Sequence, residues 1–75
     1  MQVDPVKLSH LRRVTSSGEA RAIRIAAGLS YAEVSAGCGV DLTTIYRWEA
    51  GKRSPRGEAA MRYLAILEAL AKAAL

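Results

Sequence analysis

A chain of 75 residues, 51% of them hydrophobic, is long enough for one small domain with a modest core. A single cysteine excludes an internal disulfide, and no run of about eighteen apolar residues is present that could cross a membrane. Lysine and arginine outnumber aspartate and glutamate by 11 to 7, and the resulting formal charge of +4 suits contact with a polyanion.

Two further features bear on fold class and location. Alanine is abundant and no segment alternates β-branched with polar residues, so we expect an all-α fold. The stretch 1–13 lacks the apolar centre of a signal peptide, and the lone Cys38 suits a small apolar filler in a reducing compartment. We therefore expect a cytoplasmic protein that does not contact a membrane.

Residues 1–15 form the first predicted segment. Asp4 followed by Pro5 is a helix-start signal, with an acidic cap and proline at the first helical position. The apolar residues that follow have helical spacing: Leu8, Leu11 and Val14. This short helix either packs on the rest of the protein or forms a loose basic arm that reaches along DNA, and we favour packing.

Residues 16–75 form the second predicted unit, which begins with a helix. Ser16 and Glu19 have the spacing of a capping box, and the helix that they open runs to Ala27. Gly28 ends it, because glycine readily adopts the left-handed conformation found after helices.

A helix-turn-helix is predicted next. Ser30 with Glu33 is a second capping box and opens a helix that ends near Cys38. Gly39 supplies a left-handed turn, and Asp41 is a good N-cap for a third helix. Two short helices joined by a tight glycine turn can place the second helix in the DNA major groove.

Helix 41–50 has two contrasting faces at 100° per residue. Ile45 and Trp48 lie on one side, together with Glu49, and should pack inward. The opposite side carries hydroxyl groups, a guanidinium and no acid: Thr43, Tyr46, Arg47 and Ala50, flanked by Leu42 and Thr44. Such a face suits the reading of base edges, since arginine pairs bidentately with guanine and an apolar group contacts the thymine methyl. An ordinary solvated helix face is the alternative.

The acidic residue on the packing side, Glu49, needs a partner. Arg24 lies beside Ile23 on an earlier helix, so its stem can follow the edge of the core while its guanidinium reaches Glu49. A partly buried pair of this kind would fix the spacing of the helices more than it would add stability. The alternative leaves both charges in solvent.

Positive charge is concentrated after the reading helix. Between residues 47 and 62 there are five basic residues and two acids: Arg47, Lys52, Arg53, Arg56 and Arg62 against Glu49 and Glu58. We predict that segment 52–56 is a loop whose backbone amides and cations contact phosphate. A solvated loop with no ligand is the alternative.

One long helix is predicted from Glu58 to the C-terminus. Its apolar residues cover an arc of about 180°, wider than the stripe of about 100° that one core needs. We assign the surplus to a partner surface: Tyr63, Ile66 and Leu70. A homodimer would match a palindromic operator, although residues 1–15 can also cover this surface.

Residues from about Ala20 to Leu70, about two thirds of the chain, resemble the phage repressor and Cro type of helix-turn-helix domain, or XRE family. The matching segments are Ile23-Arg24, Gly28-Leu29-Ser30, Glu33-Val34-Ser35, Gly39-Val40 and Thr44-Ile45-Tyr46-Arg47-Trp48-Glu49-Ala50-Gly51-Lys52-Arg53-Ser54-Pro55. The ending Arg-Trp-Glu-x-Gly-Lys-Arg-x-Pro is the most specific part. Two departures are Tyr31, where the family usually has glutamine, and one helix to the C-terminus where the family often has a separate fifth helix.

The resemblance implies a compact, lambda-repressor-like bundle of four to five helices that binds duplex DNA as a homodimer. It also implies that Arg24 pairs with Glu49, and it places Thr44 and Tyr46 beside the DNA backbone. Together with the exposed face of the helix, it leads us to assign base reading to Leu42, Thr43, Tyr46 and Arg47. We assign phosphate contact to Ser30, Tyr31, Thr44, Lys52, Arg53 and Arg56.

The leading functional hypothesis is a sequence-specific double-stranded DNA-binding regulator of transcription, a small phage or bacterial repressor that reads the major groove with helix 41–50. The alternative is an antitoxin-like or adaptor protein whose C-terminal helix binds a partner protein. The sequence offers no nucleophile–base pair and no cluster of metal ligands. We therefore expect no enzyme activity, no metal, no cofactor and no small-molecule substrate.

Overall fold

The computed structural model describes residues 3–73, which contain five α-helices and no strand. The helices are α1 (Pro5–Ser16), α2 (Glu19–Ala26), α3 (Tyr31–Cys38), α4 (Leu42–Glu49) and α5 (Gly57–Ala73). The predicted all-α bundle of four to five helices is confirmed. The predicted continuation of the last helix through residues 74 and 75 lies outside the described residues. Within residues 3–73, no helix is long and apolar enough to span a membrane.

A single apolar core joins the five helices. α5 packs against α1, α2 and α3, and α3 packs closely against α4. All five helices contribute buried apolar side chains: Leu11, Val14, Ala20, Val34, Cys38, Ile45, Trp48, Ala60, Tyr63, Leu64 and Leu67. Burial raises the pKa of the Cys38 thiol, which is therefore protonated at neutral pH.

The first helix is part of this core. Asp4 Oδ1 accepts a hydrogen bond from the Val6 amide at 2.8 Å, as expected of an N-cap. Leu11 is fully buried and Val14 nearly so, which excludes a loose arm as the arrangement in this structure. The boundary that we drew between residues 15 and 16 falls inside α1.

The predicted capping box at Ser16 is wrong. Ser16 is the last residue of α1, and its hydroxyl donates to the Arg13 carbonyl at 3.2 Å. Buried Thr15 extends the packed side of α1 by one residue beyond Val14, so the helix continues past the expected boundary. Gly18, at φ 87°, takes the N-cap position of α2 and supplies no side-chain cap.

The assignment of Tyr63 to a partner surface is also wrong. Its side chain is fully buried, and its ring lies 5.3 Å from that of Trp48, centroid to centroid. Trp48 of α4 covers Tyr63 inside the protein. The width of the apolar arc on α5 does not show which of its residues another helix covers. Ile66 is half-buried against α3, where a Cβ added at Gly37 would lie 2.9 Å from Ile66 Cδ1. Leu70, the third predicted residue, lines an apolar surface groove.

We predict that Leu11→Ala lowers the free energy of unfolding by about 2–5 kcal/mol, because it opens a cavity in the core. Val6→Ala, on the same helix but 76% exposed, is the control and should change it by less than about 0.5 kcal/mol. Chemical denaturation of both variants measures the difference. Equal, small effects would mean that α1 does not pack on the bundle in solution.

Candidate nucleic-acid interface

The helix-turn-helix pair begins with a complete capping box on α3. Ser30 Oγ accepts from the Glu33 amide at 3.1 Å, and Glu33 Oε1 accepts from the Ser30 amide at 2.9 Å. These hydrogen bonds hold the pKa of the Glu33 carboxyl below its ordinary value, so Glu33 is ionised at neutral pH. The cap fixes the point at which α3 starts relative to α2.

A left-handed glycine and an acidic cap then set the direction of α4. Gly39 has φ 73°, a conformation that side chains with a Cβ rarely adopt. Asp41 Oδ1 accepts from the Thr44 amide at 2.8 Å and from the Thr44 hydroxyl at 2.9 Å. The backbone bond, followed by the hydroxyl bond, lowers the pKa of Asp41. Thr44 therefore uses its one hydroxyl hydrogen within the protein, which weakens its assignment to a phosphate contact.

α4 has one buried side and one exposed side. Ile45 is fully buried and Trp48 is 4% exposed, so the inner face anchors the helix to the core. The predicted base-reading residues all face solvent: Leu42, Thr43, Tyr46 and Arg47. The structure thus brings these four side chains to one accessible surface.

A series of aromatic and cation–π contacts runs along the edge of that surface. The Arg24 guanidinium carbon lies 4.1 Å from the centroid of the Tyr31 ring, which meets the Tyr46 ring edge-on at 5.9 Å. Lys52, in the loop after α4, places its Nζ 5.5 Å from the centroid of the Tyr46 ring. Tyr31, which replaces the usual glutamine, is thus half-buried and packed. Tyr46 is held between two neighbours, at the edge of the reading face.

The pair that we predicted between Arg24 and Glu49 is present and bidentate. Arg24 Nε donates to Glu49 Oε2 at 2.7 Å, and Nη2 donates to Oε1 at 3.1 Å. Nη1 donates to the Leu29 carbonyl at 2.8 Å. The hydrogen bond to Glu49 raises the pKa of Arg24, and the two side chains are 9% and 1% exposed. One guanidinium thereby ties together α2, the segment before α3 and the end of α4.

The basic loop after α4 is anchored at both ends. The amides of Lys52 and Arg53 donate to the Arg47 carbonyl at 2.9 and 3.2 Å. Pro55 is fully buried. The three predicted phosphate-contacting cations of the loop are exposed: Lys52, Arg53 and Arg56.

The sequence predicted no individual contact for two arginines, Arg12 and Arg62. Arg12 Nε donates to the Pro55 carbonyl at 3.1 Å, and Arg12 lines an open cleft with Arg53, Ser54 and Arg56. Arg62 Nε donates to the Cys38 carbonyl at 2.9 Å, which satisfies the end of α3. Arg12 and Arg13 are adjacent in sequence, and no sequence signal indicates which of them faces the loop.

Comparison with known proteins gives one finding. A family model described as helix-turn-helix matches residues 21–73, which include most of α2 and all of α3 and α4, and run to the end of α5. No curated protein and no solved structure matches the chain. Within residues 3–73, no group of three or more His, Cys, Asp or Glu side chains could hold a metal ion.

We predict that Glu49→Ala lowers the free energy of unfolding by about 3–5 kcal/mol, because it leaves the Arg24 guanidinium buried and uncompensated. The double variant Arg24→Met with Glu49→Leu should lose less unfolding free energy than the sum of the losses in the single variants Arg24→Met and Glu49→Leu. A double-mutant cycle by chemical denaturation measures this coupling. Costs that add to within about 0.5 kcal/mol would show that the two side chains act independently.

Proposed function

This chain belongs to the XRE-type helix-turn-helix family, and from this premise we propose that it is a sequence-specific regulator of transcription, a small repressor of a bacterium or a phage. The observation that carries the proposal is the two-sided α4, buried through Ile45 and Trp48 and exposed through its polar side. Such a helix is rigidly held and still accessible to duplex DNA.

The dimensions of α4 support insertion into the major groove. An α-helix with its side chains is about 10–12 Å across, and the major groove is about 12 Å wide. In this proposal, the Arg47 guanidinium donates to O6 and N7 of a guanine, while Leu42 and Thr43 contact thymine methyl groups. Tyr46, which lies between Tyr31 and Lys52, contacts the edge of the site.

Phosphate contacts are proposed on either side of α4. Lys52, Arg53 and Arg56 supply cations from the loop, and the Ser30 hydroxyl, which accepts from the Glu33 amide, keeps its own hydrogen to donate. The half-buried Tyr31 and the Asp41-bonded Thr44 are weaker candidates. These contacts give affinity and orientation, while Arg47 and its neighbours give selectivity.

We also propose that the protein binds a palindromic operator as a homodimer. An apolar groove of about 540 Å³ lies between α2 and the end of α5, and Leu70 lines it together with Ile23 and with no residue of α4. A second copy placed against this groove would repeat the contact by two-fold symmetry and present two reading helices.

The same groove favours one alternative, an antitoxin-like or adaptor protein whose C-terminal helix binds a different protein. Selection from a random duplex pool separates the two functions. A regulator enriches a defined site, whereas an adaptor enriches none and retains its protein partner when Arg47 is replaced.

For the regulator, Arg47→Ala should remove about 1–3 kcal/mol of discrimination at one base pair of the selected site, because the bidentate contact to guanine is lost. Lys52→Ala should weaken binding to all duplexes by a similar factor and reduce the salt slope by about 1. Titrations of selected and random duplexes at several salt concentrations measure both effects. A change of selectivity in Lys52→Ala with an unchanged slope would refute the assignment of the loop.

For the homodimer, Leu70→Glu should convert the free protein from dimer to monomer, since a carboxylate cannot be buried in an apolar contact without a partner. Ala69→Glu, an exposed position one residue earlier on α5, is the matched control and should leave the dimer intact. Sedimentation equilibrium gives the mass of each variant. If all forms have the same mass, this groove is not the dimer contact.

A further inference from the structure

We propose that Arg12, Arg53 and Arg56 form a prearranged cleft for one phosphodiester of the DNA backbone, beyond the stretch of groove that α4 reads. This inference rests on the proposed DNA-binding function and deepens it. It assigns a ligand to α1, a helix that lies outside the matched residues 21–73.

The cleft joins α1 to the basic loop. Its lining consists of Arg12 from α1 and of Arg53, Ser54 and Arg56 from the loop. Arg12 Nε donates to the Pro55 carbonyl at 3.1 Å, and the fully buried ring of Pro55 fixes the position of that acceptor. The guanidinium of Arg12 is therefore oriented before any ligand arrives.

The cleft is also fixed relative to the reading helix. The Arg47 carbonyl, at the end of α4, accepts from the amides of both Lys52 and Arg53. The loop thus starts on the last turn of α4 and reaches Arg12 at Pro55. A duplex that contacts Arg47 would bring its flanking backbone to this end of α4, where the cleft opens to solvent.

The chemistry of the lining selects a phosphate. Three of the four lining residues are arginines, and none of the described residues that line the cleft is acidic. With Nε bound to Pro55, the two terminal nitrogens of Arg12 make no hydrogen bond to any residue between 3 and 73. A guanidinium binds two phosphate oxygens at once, and the three like charges repel one another until an anion lies between them.

A backbone phosphate suits this cleft better than a free anion. The cleft is open and its arginines are largely exposed, so an isolated phosphate would be held by screened interactions alone. A phosphate of a duplex already held by α4 and Lys52 is presented at a high effective concentration. The cleft therefore adds to affinity for any sequence and leaves selectivity unchanged.

The test compares Arg12→Ala with Arg13→Ala, its neighbour on α1, which removes the same charge from an exposed side chain that does not line the cleft. At about 0.15 M salt, Arg12→Ala should weaken binding to selected and random duplexes alike by about 5-fold and lower the salt slope, by at most the roughly 0.9 that belongs to one neutralised phosphate. Arg13→Ala should do neither. Arg12→Lys, which keeps the charge, should restore part of the slope.

A single neutral methylphosphonate, moved along the flank of the selected site, locates the contact. At one position it should weaken DNA binding by the wild-type protein about 5-fold, and weaken binding by Arg12→Ala, which keeps Arg53 and Arg56, by clearly less. Equal effects of Arg12→Ala and Arg13→Ala would overturn the proposal, as would a methylphosphonate scan that is identical for Arg12→Ala and wild type. Unchanged unfolding temperatures rule out misfolding as the cause.

Two further outcomes separate this inference from the proposed function. If wild type binds no duplex selectively, the regulator proposal itself fails. If Arg47→Ala loses selectivity while Arg12→Ala behaves like wild type, the inference about the cleft alone fails. Titration with inorganic phosphate, followed through the Arg12 Nε signal in NMR, tests whether the cleft binds a free anion in place of a DNA phosphate. Millimolar binding of phosphate with no effect of Arg12→Ala on DNA affinity would identify a free-anion site and overturn the assignment to DNA.

Discussion

The bidentate contact between Arg24 and Glu49 is the constraint on which the candidate interface depends. Both charges are almost completely buried, so each is tolerated only because the other is there. The third donor of Arg24 reaches the Leu29 carbonyl, just before α3. Removing the pair would therefore disturb the angle between α3 and α4 as well as the core. This buried contact therefore sets the orientation of the exposed face of α4.

The influence of the pair extends to the surface through a series of aromatic and cation–π contacts. Tyr31 lies on the guanidinium of Arg24, Tyr46 meets Tyr31 edge-on, and Lys52 lies over the ring of Tyr46. Tyr31 occupies the position at which glutamine is usual in the family. In this chain the position contributes packing, which supports the reading helix from the side. A surface cation is thus connected to a buried carboxylate by a continuous series of contacts.

Local signals in the sequence predicted the parts of the fold that local physics decides. The caps at Asp4, Ser30 and Asp41 are hydrogen bonds between residues at most three positions apart, and all three are present. The partnership of Arg24 with Glu49 crosses 25 positions and was left open by the residues alone. The resemblance to known repressors decided it. Composition and periodicity also sufficed for the helical class of the fold.

Features that depend on how the helices pack on one another could not be predicted from local signals. Tyr63 was placed at an interface because its arc on α5 is wide, but Trp48 covers it inside the molecule. Ser16 and Glu19 have cap spacing, yet the packing of α1 takes Ser16 into the preceding helix. Arg12 contacts Pro55, 43 positions away, and only the docking of α1 brings them together.

The buried Cys38 has a practical consequence. Its thiol is fully enclosed and kept protonated by burial, whereas a maleimide reacts with an accessible thiolate. Alkylation therefore requires the packing around Cys38 to open, and its rate follows the population of the opened state. Because Cys38 is native, the opening of the helix-turn-helix can be compared with and without a bound duplex without any substitution in the protein.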